Sequence, residues 1–281
     1  MPGTLFVVAT PIGNLEDITL RAIRVLREAD VIAAEDTRRT AKLLAHYSIS
    51  TSTVSFHEHN SRTRIPQLLA RLEAGARVAL VTDAGTPGIS DPGGALIDAC
   101  WRKAIAIDPI PGATAPVTAA VASGFRLEPL TIFGFTPARS KDRKQWMLKV
   151  QTVPNTLTFF ETPYRILQTL SEIPLYFGDR PIFIAREMTT LHQQFIRGRC
   201  STDVGQKPEP KGEFTVVLGP AQSADQVVSL ISDEEIFIEF GHMAYNASGG
   251  RRSIVTALAV KYGRSARNVY DIIVRFNKSV V

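Results

Sequence analysis

At 281 residues, 44% hydrophobic and 21% charged, the chain has the composition of an ordinary globular protein, and about two domains are expected at the usual ~100–200 residues each. No run approaches the roughly 18 consecutive apolar residues of a membrane span, and the start Met1-Pro-Gly-Thr-Leu-Phe6 lacks a secretory signal, so a cytoplasmic protein without membrane association is expected. The two cysteines, Cys100 and Cys200, make neither a disulfide framework nor a zinc site, and a net charge of +5 mildly favours a polyanionic partner.

The first part alternates strand and helix patterns. Strands are predicted over 4–9, 31–34, 53–56, 77–82 and 104–109, with helices over 19–28, 40–46, 62–74 and 94–103. Thr19 can cap the first helix and Gly75 close the third. Such alternation predicts a mostly parallel sheet with helices on both faces. The run Pro109-Ile-Pro-Gly-Ala-Thr-Ala-Pro116 breaks the pattern, so the first domain is expected to span 1–112.

A second domain over 113–222 has a different texture. Strands are predicted over 130–134, 156–161, 181–186, 193–198 and 214–218, with helices only over 143–151 and 164–173. The last two strands follow each other without a helix, which suggests antiparallel pairing and a mixed sheet. Residues 202–211 read as a loop. In the third part, 223–281, helices are predicted over 253–262, stopped by Gly263, and over 266–276, capped by Ser265. The pair resembles a helix-turn-helix, and an oligomerisation tail reads equally well. Residues 249–281 hold seven bases against one acid, Asp271, which accounts for the whole positive excess. A second basic run is Arg139-Ser-Lys-Asp-Arg-Lys144. Together they tilt the reading toward nucleic acid.

The chemistry concentrates at strand ends. The strand Ala76-Arg-Val-Ala-Leu-Val81 opens into Thr82-Asp-Ala-Gly-Thr-Pro-Gly-Ile-Ser-Asp-Pro-Gly93, and Leu5-Phe-Val-Val-Ala9 runs into Thr10-Pro-Ile-Gly-Asn-Leu-Glu-Asp17. The carboxyl ends of parallel strands are where open α/β sheets bind ligands. Neither turn carries G-x-G-x-x-G or the glycine-lysine of a triphosphate loop, so the ligand is not expected to be held by phosphates. Glu35-Asp36-Thr37-Arg38-Arg39 is a site segment or a helix cap with equal claim. His57 and His59 form an i, i+2 pair without a third ligand at a familiar spacing, so a substrate-binding or inert loop is favoured over a metal site. Glu161-Thr-Pro-Tyr-Arg165 and Arg186-Glu187 place an acid and a base at strand ends, as structural ion pairs also would. Gly212, before the last strand, suggests close backbone approach. Both cysteines read as inert, Cys100 on a helix and Cys200 in a loop.

The runs Ala9-Thr-Pro-Ile-Gly-Asn-Leu15, Ala34-Glu-Asp-Thr-Arg38, Phe56-His-Glu-His-Asn60, Asp83 to Gly93 and Pro111-Gly-Ala113 resemble the tetrapyrrole-methylase (class III S-adenosylmethionine-dependent) family. Gly134-Phe135, Glu161 to Arg165, Ala185-Arg-Glu-Met-Thr189 and Gly212-Glu-Phe214 follow in the family's order. The chain departs from the family's usual pattern at Thr162 and Tyr164, and at Ala113-Thr114. The likeness covers nearly the whole length and is closest to members that methylate the ribose 2′-hydroxyl of a cytidine in 16S ribosomal RNA. It implies an α/β, two-domain tetrapyrrole-methylase-like fold with a small C-terminal helical extension.

The same resemblance implies S-adenosylmethionine bordered by Pro11, Asp83, Ala84, Gly85, Ile89, Thr114, Ala115 and Phe160, with Glu213 and Thr215 on the adenine side. The acceptor for the hydroxyl proton is expected among Glu35, Asp36, His57 and Glu161. RNA contacts are expected at Arg38, Arg139, Lys141, Arg143, Lys144, Arg251, Arg252, Arg264 and Arg267, and no metal is expected. The implied partners are 16S ribosomal RNA or the small ribosomal subunit, and a second copy in a homodimer. The alternatives are a methylase of a tetrapyrrole-like small molecule and a non-catalytic RNA-binding protein.

Overall fold

The computed structural model describes residues 3–200, 208–221, 233–246, 250–261 and 266–278. The chain divides into two compact units, Met1–Gly219 and Pro220–Val281.

In the first unit, β1 (Thr4–Val8), β2 (Val31–Ala34), β3 (Thr53–Ser55), β4 (Arg77–Val81) and β5 (Ala106–Ile110) form a parallel sheet in the order β3-β2-β4-β1-β5. Its central strands β2, β4 and β1 are apolar at almost every position because both faces are covered. Leu5, Val7, Val31, Ala33, Val78 and Leu80 pack toward α3 (Ser61–Glu73) and α4 (Gly94–Arg102). Their alternates Phe6, Val8, Ile32, Ala34, Ala79 and Val81 pack toward α1 (Leu20–Glu28) and α2 (Thr37–His46). The Thr19 hydroxyl caps α1, accepting from the Ala22 N–H at 3.1 Å, and Gly75 turns the chain after α3 at φ +97°.

β1 leads leftward to β2 and β4 leads rightward to β5, so their outgoing turns diverge and open a crevice at their carboxyl ends. Beyond the sheet the two turns are stitched together. Thr10 and Gly85 exchange backbone hydrogen bonds of 2.9 and 3.1 Å, and the Thr10 hydroxyl donates to the Thr82 carbonyl at 3.1 Å.

The second sheet, in the same unit, runs β6 (Leu130–Phe135), β7 (Thr156–Glu161), β10 (Phe214–Leu218), β8 (Pro181–Arg186), β9 (Gln194–Arg199). It is mixed: β6 and β7 are parallel and the other neighbours antiparallel. The last two strands are not partners of each other, however. β9 folds back on β8, and β10 inserts between β7 and β8 so that its fully buried Phe214-Thr-Val-Val-Leu218 fills the middle of the sheet.

α6 (Ser140–Val150) and α7 (Ile166–Phe177) cover one face of this sheet, around Phe159, Ile184 and Val216. The other face carries α5 (Ala115–Ser123), a helix absent from the expected pattern. Its sequence Ala-Pro-Val-Thr-Ala-Ala-Val-Ala-Ser has no polar face to give a helical period: Ala119 and Ala120 are buried while Val117 and Val121 are exposed. Pro116 sits in its first turn, where a proline costs no hydrogen bond.

The second unit holds three helices where two were expected: α8 (Asp233–Asn246), α9 (Arg251–Lys261) and α10 (Ala266–Lys278). Ile236, Phe240, Ile254, Leu258, Val269 and Ile272 make its core. The helical period of α8 is blurred in the sequence because Ile238, off the core stripe, is also apolar yet half exposed. Gly263, Arg264 and Ser265, with 202–207 of the expected loop, lie outside the described residues. Among the described residues no helix is long and apolar enough to cross a membrane.

Candidate active site

The turns after β1, β2 and β4 and the loop into α5 face the ends of β7, β8 and β10 across a cleft of about 810 Å³. The two sheets approach closely there. A Cβ on Gly134 of β6 would stand 3.0 Å from the Ser90 hydroxyl, and one on Gly13 would come within 2.6 Å of the Met188 carbonyl. The Thr189 hydroxyl accepts from the Asn14 N–H at 2.9 Å. Ser90, Glu187 and Thr189 all hold left-handed φ values, of +68°, +49° and +67°. Such strain in residues other than glycine collects where surrounding contacts hold a site in shape. Gly212, at φ +82°, lies against the Glu187 side chain so closely that no Cβ fits, the close approach expected of it.

Pro11, Asp83, Ala84, Gly85, Ile89, Thr114, Ala115, Phe160, Glu213 and Thr215 all line this cleft, as do Glu35 and Glu161. Asp36 and His57 do not. The Asp36 carboxylate caps α2, accepting from the Arg38 N–H at 2.8 Å, and pairs with the Arg38 guanidinium at 2.9 Å. That guanidinium holds Asp36 down to about 2. Moving the start of α2 from 40 to 37 is what turns Asp36 into its cap. His57 is placed by its N–H to Asn60 Oδ1 at 2.9 Å, and its Nδ1 is buried without a partner. Among the described residues no group of three or more histidines, cysteines or acids could hold a metal.

Glu161 is 1% exposed and its carboxylate is saturated. It accepts from the Thr162 N–H at 2.7 Å, Arg165 Nε at 3.1 Å and the Thr169 hydroxyl at 2.6 Å, and also from the Thr136 hydroxyl. Glu35 is held by one oxygen only: Oε2 accepts from the Thr82 hydroxyl at 2.6 Å and the Asp83 N–H at 3.2 Å. Among the described residues its Oε1 has no partner.

The cleft is crowded with carboxylates. Burial and the neighbouring Glu35 charge push Asp91 up to about 7. The same two causes raise Asp83, and burial raises Glu213 against the opposing pull of Arg39. Arg39 and Lys42, three residues apart on α2, are the basic groups of the lining, and Arg39 pairs with Asp83 at 3.4 Å. The buried Thr162 hydroxyl, also in the lining, has no partner. Asp91, Arg39, Lys42 and Thr162 were not among the site residues expected from the sequence. All but Lys42 lay in runs read as candidate site segments: Asp91 in the glycine-rich turn, Arg39 in Glu35-Asp-Thr-Arg-Arg39 and Thr162 in Glu161-Thr-Pro-Tyr-Arg165.

Of the expected RNA contacts, Arg38, Arg139, Lys141, Lys144, Arg251, Arg252 and Arg267 are exposed. Arg143 is 1% exposed: it forms a two-pronged pair with Glu172 at 3.0 and 3.1 Å and donates to the Pro137 and Ala138 carbonyls. Arg264 lies outside the described residues. Cys100 and Cys200 are buried, and desolvation pushes their thiols up to about 11 and about 12.

A doubly wound sheet, a mixed sheet and an acidic cleft between them are the plan of a methylase class, and the family model of the tetrapyrrole (corrin/porphyrin) methylases matches residues 4–202. The chain belongs to that family. It is 49% identical over 218 residues to the protein of Thermotoga maritima called ribosomal RNA small subunit methyltransferase I, a match covering 77% of this chain and 98% of that one. It is 42% identical to the protein of the same name from Halalkalibacterium halodurans, over 96% of this chain and 94% of the relative. In fold it resembles the crystal structure of uroporphyrin-III C-methyltransferase from Thermus thermophilus complexed with S-adenosylhomocysteine. That match has a TM-score of 0.55 at 20% identity, over 77% of this chain and 97% of the other.

Proposed function

We propose that the chain transfers the methyl group of S-adenosylmethionine to the ribose 2′-hydroxyl of a cytidine in the RNA of the small ribosomal subunit. The observation that carries this reading is the 42% identity over 96% of the chain to a relative named for methylating small-subunit ribosomal RNA. The cleft suits the methyl donor. Its carboxylates favour a cation, its turns lack phosphate-binding glycine patterns, and the unpartnered Thr162 hydroxyl waits for a polar contact.

In this reading Pro11, Asp83, Ala84, Gly85, Ile89, Thr114, Ala115, Phe160, Glu213 and Thr215 hold the donor. When bound, it supplies an electrophilic methyl group on a sulfonium. Holding donor and hydroxyl in register can contribute up to ~7–11 kcal/mol of the barrier lowering. The hydroxyl proton needs an acceptor. Glu161 has no free lone pair, Asp36 is spent on its cap and His57 is outside the lining, which leaves Glu35. Asp91 stands beside it, poised near neutrality, so we assign proton acceptance to the Glu35–Asp91 pair. Arg38, Arg139, Lys141, Lys144, Arg251, Arg252, Arg264 and Arg267 contact RNA. Arg143 is excluded from this role by its burial. In the division 1–112, 113–222 and 223–281, the first two domains hold the donor between them and all three carry RNA contacts, in a cytoplasmic homodimer.

A carboxylate-bearing tetrapyrrole is disfavoured as substrate by the acidic lining. Mass spectrometry of small-subunit RNA from cells with and without the gene decides between the two. A cytidine that loses its 2′-O-methyl group in the deletion and regains it with purified protein and S-adenosylmethionine supports the proposal. Identical methylation in both strains refutes it.

A further inference from the structure

We infer that the C-terminal unit binds one unstacked nucleobase together with a flanking backbone phosphate, in a pocket of its own between α8, α9 and α10. The three helices close over a shared core but leave about 350 Å³ lined by Phe240, Val255, Tyr270, Ile273 and Val274 beneath Arg251 and Arg252. Tyr270, Ile273 and Val274 lie at i, i+3 and i+4 on α10, and Arg251 and Val255 at i and i+4 on α9. Each helix therefore turns one face to the pocket. Phe240, Val255 and Ile273 are buried, whereas Tyr270 is 57% exposed, a large aromatic surface for a protein to leave in water.

The rim differs from the floor. The Arg251 guanidinium stands 5.8 Å from the centre of the Phe240 ring, a cation laid over an aromatic face. Among the described residues neither Arg251 nor Arg252 has a carboxylate partner, although Arg275 of the same unit pairs with Asp233. The pocket thus joins two uncompensated positive charges to an apolar, aromatic floor. An apolar helix docking here would fill the floor and leave the guanidiniums without counter-charge. A free phosphate would do the reverse. A nucleotide splayed out of a single strand satisfies both, with a π-face for the aromatic side chains and a phosphate for the arginines.

This inference rests on RNA being the substrate, and its test is arranged to fail separately. The full-length protein is titrated with a fluorescein-labelled oligocytidylate and with an abasic oligomer of equal length and charge. The oligocytidylate binds about tenfold more tightly, and Tyr270→Ala removes that preference while Tyr270→Phe keeps it. Arg252→Gln lowers the salt slope for both oligomers by about 0.7. Equal affinity of the wild-type protein for the two oligomers overturns the inference. So does a preference that survives Tyr270→Ala, or a Tyr270→Ala effect confined to self-association. Donor-dependent methylation of small-subunit RNA is measured on the same samples. If that fails while the base preference holds, the proposed reaction falls and the pocket stands; methylation without base preference gives the converse.

Discussion

Asp83 faces Arg39 across the mouth of the cleft at 3.4 Å, and this is the contact through which α2 tempers the acidity of the site. Asp83 also accepts the Asp36 N–H at 3.0 Å, so the start of α2 and the glycine-rich turn after β4 are fixed to each other by one carboxylate. Arg39 opposes the upward shift of both Asp83 and Glu213. Arg39→Ala therefore raises both carboxylates further. The acid limb of the methylation pH profile moves to higher pH, by less than about one unit because the guanidinium is more than half exposed. An unmoved limb would show that Arg39 does not set the charge of the donor-binding carboxylates.

Asp91 titrates near neutrality in the folded chain, at about 7, and near 3.9 when unfolded. Between those values the folded state binds more protons than the unfolded state. Stability thus falls as pH rises from about 4 to about 7 and is level above it. Asp91→Asn, which mimics the protonated form, flattens that fall, so the variant matches the parent near pH 4 and melts higher above pH 7. The melting temperature measured across this range checks the sign. Binding of a cationic donor has the opposite dependence, strengthening as Asp91 ionises, and the same variant loses that pH response in titration calorimetry.

Glu161 anchors two threonine hydroxyls, a backbone N–H and the Arg165 guanidinium from a position with almost no solvent. Glu161→Gln leaves Arg165 without its counter-charge and turns one accepting oxygen into a donor facing other donors. A loss of about 3 kcal/mol in urea unfolding is expected. A variant of parental stability with slowed methyl transfer would return Glu161 to the list of reacting groups.

Arg143 and Lys144 are adjacent in the chain and separate in role. Arg143→Ala breaks a buried pair with Glu172 and costs about 3 kcal/mol of stability, while the salt slope of RNA binding stays at the parental value. Lys144→Ala is neutral in unfolding and lowers that slope by about 0.7 to 0.9. A drop in slope for Arg143→Ala measured below its unfolding transition would contradict this division.

Much of the first sheet was legible in the chain, because a strand buried on both faces is an unbroken apolar run and the turns that follow it are dense in glycine, proline and carboxylates. Thr10 to Gly13 and Asp83 to Gly93 announced themselves in this way, and both line the cleft. The resemblance to a methylase family rested in part on the same turns. Local patterns fail where side chains take their meaning from elements far away in sequence. α5 hides because alanines packed against a sheet leave no polar stripe. β10 lies beyond β8 and β9 in the chain yet fills the space between β7 and β8, a place set by core packing. Arg143 looks like any surface arginine until α7 brings Glu172 to it. Asp91 is one carboxylate among many until folding buries it beside Glu35, and its shift from an ordinary acid to one titrating near neutrality is a property of that enclosure. Composition and turn chemistry act over a few residues and can be read in order; burial and charge crowding depend on which strands become neighbours.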